Sequence, residues 1–140
     1  MASVYTAEAI ATGAGRDGHT RTTDGRVDLD LAVPKEMGGS GEGANPEELF
    51  AAGYAACFHS ALQLVARKEK VDLGDSSVGA RVGIGPNDAG GFDLEVTLEI
   101  VIPEVEHQKA VELAEKAHQV CPYSNATRGN IPVELVVTDD

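Results

Sequence analysis

Basic residues are scarce in this sequence. Lys and Arg together number 11, against 23 Asp and Glu, which gives a formal net charge of −12 at pH 7. Nucleic acids and anionic membrane surfaces attract proteins that carry clusters of positive charge. The acidic balance therefore excludes nucleic acid and membrane surfaces as expected partners.

An unbroken membrane-length apolar run is also missing. The longest apolar stretch, residues 49–66, is interrupted by His59, Ser60 and Gln63 and bracketed by charged residues. This arrangement is typical of a buried helix rather than a membrane span. The first ten residues lack the basic and apolar regions of a secretory signal. We therefore expect a soluble, cytoplasmic protein.

Only two cysteines are present, Cys57 and Cys121. In a reducing compartment a lone pair of cysteines is a poor candidate for a permanent structural disulfide. Catalysis, redox switching and metal binding are the better candidates. The sequence therefore directs attention to what each thiol could do.

The N-terminal part of the chain predicts three short strands and a long helix. Asp-Gly turns at 17–18 and 24–25 separate three strand-like segments, which favours an antiparallel meander. A glycine-rich segment, residues 35–44, predicts a flexible loop. Asn45 as N-cap, Pro46 at the first helical position and Glu48 three residues after the cap then predict a helix that runs to about Lys68.

The C-terminal part predicts a hairpin, a second helix and a final strand. Residues 77–85 and 92–102 form the hairpin, and the second alternates apolar side chains that should share one face. A helix from Glu104 carries apolar residues at helical spacing and should end at Cys121, because Pro122 follows. Residues 131–137 predict a sixth strand. The chain, 1–140, is thus predicted to be one α+β domain of mainly antiparallel sheet with two main helices.

The first helix is apolar nearly all the way round. Small residues recur on it at Ala51/Ala55 and Ala52/Ala56, with Gly53 between them. The sheet of a small domain covers only one side of such a helix, so we expect a second subunit to pack on the other. The helix therefore predicts an intimate homodimer.

Cys57 needs help to react, because only the thiolate is a nucleophile and apolar burial raises a thiol pKa. It lies about three turns inside its helix, beyond the reach of the helix dipole. A cation must come from elsewhere, and Arg16, in a tight Gly-Arg-Asp-Gly turn, is the best candidate, since a guanidinium stays charged and also pairs with a carboxylate. A solvated turn residue is the simpler interpretation of Arg16 taken alone.

Three segments carry a family resemblance: ATGAGRDGHT near the start, GGSGEGANPEELFAAGYAACFHSAL in the middle and VCPYSNATRGNIPVEL near the end. They resemble, in the same order, the organic hydroperoxide resistance branch of the Ohr/OsmC family of thiol peroxidases. The resemblance implies an OsmC-like fold in an intertwined homodimer. It also implies Cys-based reduction of organic hydroperoxides, of alkyl or fatty-acid type, to alcohols.

The resemblance also implies a role for four residues. Cys57 matches the peroxidatic cysteine, Cys121 the resolving cysteine, Arg16 the arginine that activates the thiolate, and Glu47 the carboxylate that orients that arginine. The expected cycle passes through a Cys57 sulfenic acid and a Cys57–Cys121 disulfide. No bound cofactor or metal is implied; dihydrolipoamide or a lipoylated protein is the implied reductant.

Glu47 raises a geometric difficulty. Ten residues of continuous helix would place it about 15 Å from Cys57, too far for one arginine to contact both. Either the first turn is not continuous with the rest of the helix, or Arg16 and Glu47 reach Cys57 of the partner subunit. We favour the second, because the apolar helix already predicts a dimer.

The sequence also offers candidates for a substrate pocket and leaves three alternative functions open. The pocket should be apolar to suit alkyl or acyl peroxides, and Met37, Leu49, Phe50 and Phe58 are the candidates to line it. Ordinary core packing is the simpler interpretation of each taken alone. A zinc site built from Cys57, His59, His118 and Cys121 is one alternative, although Cys57 and His59 would point to opposite sides of a helix. A Cys–His acyl-transfer enzyme is the second. The third is a thiol-based redox sensor that oxidises without turnover.

Overall fold

The computed structural model describes all residues from Met1 to Asp140. They form two compact units, Met1–Leu49 and Phe50–Asp140. The boundary between the units falls inside a helix, where no linker composition marks it. The expectation of a single domain stays a prediction.

The first unit contains the predicted antiparallel meander. Strands β1 (Ala9–Thr12), β2 (His19–Thr22) and β3 (Asp28–Asp30) form a sheet in that order. The turn between β1 and β2 is a single 3-10 turn, Gly15–Asp17, which contains Arg16. Gly18 closes this turn where a Cβ would lie 2.2 Å from the Thr12 carbonyl oxygen, so only glycine fits there. The turn therefore holds Arg16 at the end of a strand pair.

The glycine-rich segment contains more structure than the loop prediction allows. A 3-10 turn, Lys35–Met37, lies within it. The segment then returns to the end of β3, where the Ala32 N–H donates to the Ala44 carbonyl at 2.9 Å and the Ala44 N–H donates to the Asp30 carbonyl at 3.1 Å. These backbone hydrogen bonds hold Ala44, just before the first helix, next to the end of β3.

Helix α1 spans Pro46–Lys68, as predicted. Its start is a reciprocal capping box, in which the Glu48 N–H donates to Asn45 Oδ1 at 2.9 Å and the Asn45 N–H donates to Glu48 Oε1 at 3.1 Å. The helix is long and apolar enough to cross a membrane by length and composition alone. Core helices pass the same test, and one face of α1 is buried in the core of this chain.

The second unit is built on the predicted hairpin. Strands β4 (Ser77–Pro86) and β5 (Phe92–Val101) pair antiparallel over their whole length. Strand β6 (Val133–Thr138) then pairs with β5 in parallel, so this three-stranded sheet is mixed. The alternating apolar face of β5 is buried only from Val96 onward; Leu94 is half-buried and Phe92 is exposed.

Two further helices complete the second unit. Helix α2 (His107–Val120) begins three residues later than predicted, because the Glu106 carboxylate caps it by accepting from the N–H groups of Gln108 and Lys109. It ends before Cys121, as predicted. A short helix, α3 (Pro122–Thr127), follows at once and was not predicted. Helices α1 and α2 pack with the β4–β5–β6 sheet around one hydrophobic core, so the α+β prediction is confirmed.

Candidate active site

Cys57 and Cys121 lie next to each other. Cys57 lies on α1 and Cys121 between α2 and α3, and their Sγ atoms are 3.7 Å apart. Both are free thiols; Cys121 is fully buried and Cys57 half-buried. A bonded pair of sulfurs is about 2.05 Å apart, so this is a reduced pair that a small movement would join.

The position of Cys121 follows from the proline after it. A residue before proline avoids the helical region, and Cys121 is extended, with φ −60° and ψ 122°. The α2 helix therefore ends there, and Pro122 starts α3 at a position where its missing N–H costs nothing. The sharp change of direction between the two helices places the Cys121 side chain against α1.

The surroundings of Cys57 favour the thiol over the thiolate. Burial raises the pKa of Cys57, and the neighbouring Cys121 thiol raises it further. The Tyr123 backbone N–H acts in the opposite direction by hydrogen bonding to the sulfur. The net pKa is raised, so within this unit Cys57 still needs a nearby positive charge to react as a thiolate.

A cavity of about 300 Å³ opens beside Cys57. Much of its lining is carbon, from α1 and from the segment around Cys121; the lining residues are Cys57, Ser60, Ala61, Leu64, Arg67, Val120 and Pro122. Ser60, Ala61 and Leu64 follow Cys57 by three, four and seven residues. Helical spacing from the cysteine could therefore have identified them from the sequence.

The four residues predicted to line the pocket lie elsewhere than this cavity. Phe58 is fully buried in the core, and Phe50 packs against the core. In the first unit, Met37 is exposed and Leu49 is half-buried on α1. None of the four is among the residues that line this cavity, and their role in binding a substrate stays a prediction.

Tyr123 joins an aromatic cluster beside the two sulfurs. Its ring stacks on Phe50 with centroids 5.9 Å apart and meets Tyr54 edge-on at 5.7 Å. Gly53 makes this approach possible, because a Cβ there would lie 3.2 Å from the Tyr123 hydroxyl. The cluster holds the start of α3, and with it the Tyr123 N–H, against α1.

Arg16 and Glu47 form a bidentate ion pair within the first unit. Arg16 Nη1 donates to Glu47 Oε2 at 2.8 Å, and Nη2 donates to Oε1 at 2.7 Å. The hydrogen bonds from Arg16 hold the pKa of Glu47 below its ordinary value, and Glu47 raises the pKa of Arg16. Two parallel bonds fix the plane of the guanidinium, so the charge points in a defined direction.

Continuity of α1 removes one of the two solutions to the Glu47 problem. The helix runs unbroken from Pro46 to Lys68, so the alternative in which the first turn is separate from the rest of the helix is wrong. Ten residues of this helix separate Glu47 from Cys57 by about 15 Å along the axis. The second solution, in which Arg16 and Glu47 serve Cys57 of a partner subunit, stays a prediction.

The two histidines near the cysteines have other partners. His59 Nε2 lies 3.0 Å from the Ser76 hydroxyl, and His118 Nδ1 lies 2.7 Å from the Ser124 hydroxyl. Neither ring hydrogen-bonds to Cys57, which disfavours a Cys–His acyl-transfer enzyme. The structure also contains no group of three or more His, Cys, Asp and Glu side chains arranged to hold a metal ion, so His59 and His118 do not join the two cysteines as the zinc alternative requires.

Comparisons with known proteins agree on one family. The family model described as OsmC-like protein matches residues 39–136. An organic hydroperoxide resistance protein of Xanthomonas axonopodis pv. citri is 51% identical over 136 residues, covering 96% of this chain and 94% of the relative. The organic hydroperoxide resistance protein OhrB of Bacillus subtilis is 42% identical, covering 95% and 97%.

Solved structures agree with the sequence relatives. The crystal structure of an organic hydroperoxide resistance protein from Elizabethkingia anophelis, with thiocyanate bound, matches with a TM-score of 0.95 at 52% identity over 100% of both chains. An OsmC-like protein from Mycoplasma pneumoniae matches with a TM-score of 0.77 at 19% identity, which shows the shared fold alone. The chain therefore belongs to the OsmC-like family, among the organic hydroperoxide resistance proteins.

Proposed function

We propose that this protein is a thiol peroxidase that reduces organic hydroperoxides to alcohols. The observation that carries the proposal is the pair of free sulfurs, 3.7 Å apart, beside a largely apolar cavity. Two thiols at this distance provide both a nucleophile and a partner that traps its oxidised form. The names of the relatives at 42–51% identity support an organic hydroperoxide as the substrate.

In the first step the Cys57 thiolate attacks the distal oxygen of the hydroperoxide. A sulfur–oxygen bond forms and the oxygen–oxygen bond breaks, so the sulfur loses two electrons and the peroxide gains them. The leaving alkoxide takes a proton and departs as the alcohol. The product on the protein is a Cys57 sulfenic acid.

In the second step Cys121 resolves the sulfenic acid. Its sulfur attacks Cys57 Sγ, a disulfide forms, and the hydroxyl leaves as water after taking a proton. A dithiol then supplies two electrons and two protons to regenerate both thiols. We propose dihydrolipoamide, free or on a lipoylated protein, as this reductant, with no cofactor bound by the chain.

The positive charge that activates Cys57 is proposed to come from Arg16 of the partner subunit, oriented by Glu47. The raised pKa of Cys57 supports the need for such a charge. The outer face of α1 supports a homodimer, because only a third of its most apolar window is buried within the chain and Ala52, Ala56 and Ser60 are exposed. The guanidinium would stabilise both the thiolate and the developing alkoxide.

Cytoplasmic localisation is part of the same proposal. The cycle needs both thiols to return to the reduced state after every turnover, and a reducing compartment maintains dithiol reductants.

The experiment is peroxide consumption with dihydrolipoamide as reductant, comparing an alkyl hydroperoxide with hydrogen peroxide for the wild type and for Cys57→Ser. We expect rapid turnover that favours the alkyl hydroperoxide and that the substitution abolishes. A single equivalent of oxidation at Cys57 without turnover would instead identify a redox sensor, which would use the same two cysteines.

A further inference from the structure

A chain of largely buried hydrogen bonds links residues close in sequence to the two cysteines. His118 Nδ1 lies 2.7 Å from the Ser124 hydroxyl, which lies 2.8 Å from the Tyr54 hydroxyl. The Tyr54 hydroxyl lies 3.1 Å from that of Thr127, which donates to the Ser124 carbonyl at 3.2 Å. Tyr54 and Ser124 are fully buried and Thr127 nearly so. We call these four residues the hydroxyl relay.

The hydrogens of the relay can be placed in only one order if every contact is a hydrogen bond. The Thr127 hydroxyl donates its single hydrogen to the Ser124 carbonyl, so it must accept a hydrogen bond from the Tyr54 hydroxyl. Tyr54 must then accept from Ser124, and Ser124 must accept from His118. Each hydroxyl has one hydrogen to donate, so the relay runs from His118 Nδ1–H to Thr127 without a gap. Removing the Tyr54 hydroxyl therefore leaves the buried Ser124 and Thr127 hydroxyls each one partner short.

The relay joins three helices at residues close to the cysteines. Tyr54 precedes Cys57 by three residues on α1, and His118 precedes Cys121 by three residues on α2. Ser124 follows Cys121 by three residues on α3. On α1 this spacing makes Tyr54 and Cys57 neighbours on one side of the helix, and Cys121 lies at the junction between the helices that carry His118 and Ser124. The Arg128 guanidinium also donates to the His118 carbonyl, which ties the end of α3 to α2.

We propose that the hydroxyl relay positions Cys121 and the Tyr123 backbone N–H on Cys57, and so sets how fast the sulfenic acid is resolved. The proposal rests on the proposed peroxidase function. Its four members are positioning residues, since none of them hydrogen-bonds to either sulfur. Helix α3 has only six residues and supplies little stability of its own, so its placement depends on such contacts.

The central test is Tyr54→Phe. It keeps the ring, with its contacts to Phe50 and Tyr123, but removes the hydroxyl from the middle of the relay. After mixing with one equivalent of an organic hydroperoxide and no reductant, trapping of the sulfenic acid and mass spectrometry measure sulfenic acid, disulfide and sulfinic acid over time. We expect disulfide formation to slow on the order of tenfold, the effect of losing one buried hydrogen bond, and the sulfenic acid to persist. A second equivalent of hydroperoxide should then convert the persisting sulfenic acid to sulfinic acid.

Matched variants separate positioning from stability. Ser76→Ala removes another serine–histidine hydrogen bond, the one to His59, without touching the relay. Thr127→Val keeps the shape of Thr127 and loses its hydroxyl, whereas Thr127→Ser keeps the hydroxyl. This pair provides a milder test if Tyr54→Phe fails to fold. We expect Thr127→Val to slow the disulfide step and Thr127→Ser to restore it, with Ser76→Ala unchanged at that step.

Two results would overturn the relay proposal. One is a disulfide rate in Tyr54→Phe and Thr127→Val equal to that of the wild type, with only the melting temperature lowered. The other is an equal slowing in Ser76→Ala, which would indicate a general loss of stability. Failure of the peroxidase function looks different, because the wild type itself would then form no sulfenic acid with the hydroperoxide.

Discussion

The two compact units hold two very different pairs of reactive groups. In the first unit, Arg16 and Glu47 are both charged, and each satisfies the other through two short hydrogen bonds. In the second unit, Cys57 and Cys121 are free cysteines, and burial holds the pKa of Cys57 above its ordinary value. In the ion pair each charge has an opposite charge as its partner, whereas the raised pKa of Cys57 favours the thiol over the thiolate.

The difference indicates how the proposed chemistry is divided. A bidentate carboxylate fixes the plane and direction of the arginine, and in the proposed mechanism this held guanidinium faces the thiolate of the partner subunit. The sulfur pair has a nucleophile, a resolving thiol and a largely apolar cavity, and the pKa of Cys57 is raised although Arg67 is among the residues that line this cavity. Either pair alone is inadequate, and the following predictions alter one while leaving the other intact.

The largest effect is expected from removing one sulfur at a time. Cys57→Ser should abolish peroxide turnover, because no other group can form the sulfenic acid. Cys121→Ser should still consume a first equivalent of peroxide, and then form sulfinic acid at Cys57 because the resolving thiol is missing. Peroxide consumption and protein mass measure both. Full steady turnover by Cys121→Ser with dihydrolipoamide would contradict its role as the resolving cysteine.

Removing the cation should have the next largest effect. Arg16→Ala leaves both sulfurs in place, and we expect the pKa of Cys57 to rise and turnover to fall by about 10²- to 10³-fold, as when one transition-state donor is lost. The ultraviolet absorbance of the thiolate as a function of pH measures the pKa. Arg16→Lys serves as the control, since it keeps the charge but loses the bidentate geometry. Its turnover and its Cys57 pKa should lie between those of the wild type and of Arg16→Ala. An unchanged Cys57 pKa in Arg16→Ala would show that Arg16 does not stabilise the Cys57 thiolate.

A change at the start of α1 should affect stability alone. Asn45→Ala removes the side-chain half of the capping box, and we expect a loss of about 1 kcal/mol in the free energy of unfolding. Denaturant unfolding measures this loss. The pKa of Cys57 should not change, because the cap lies three turns before it. A shifted Cys57 pKa would show that the two pairs are coupled through the helix start.

The smallest effect is expected from the pH dependence of the ion pair. Arg16 lowers the folded-state pKa of Glu47 below its ordinary value of 4.5. The pair therefore stabilises the fold above that pH and ceases to do so as the pH falls through the lowered pKa. Because Arg16 is partly exposed, we expect at most about 1 kcal/mol. Unfolding of the wild type and Glu47→Gln measures it: the difference should be present at neutral pH and vanish in acid. A constant difference would mean that the pair does not titrate with folding.

Features with a local cause were predictable from the sequence. The capping box needs only Asn45 and Glu48 at their spacing, and the end of α2 needs only Pro122. Helix α3 was missed although its signal was present, because proline favours the first turn of a helix as well as ending the previous one. The cavity residues Ser60, Ala61 and Leu64 likewise follow from helical spacing.

Features that depend on distant residues were not predictable. The parallel pairing of β6 with β5 is set by how α2 returns the chain to the sheet, which no pattern within residues 133–138 records. Tyr54 and Ser124 are 70 residues apart in sequence, and their hydrogen bond has no local signature. The Cys57–Cys121 pairing was expected only from the family resemblance, and it required the fold to bring the two residues together.

The most direct test of the account mixes two inactive variants. Arg16→Ala and Cys57→Ser chains are co-refolded in equal amounts, and peroxide turnover with dihydrolipoamide is measured against each variant alone. If Arg16 of one subunit serves Cys57 of the other, every hybrid dimer has one intact site, and the mixture recovers about a quarter of wild-type activity per chain. No recovery, with hybrid dimers demonstrated by mass, would contradict the account and place the cation and the thiol in one chain.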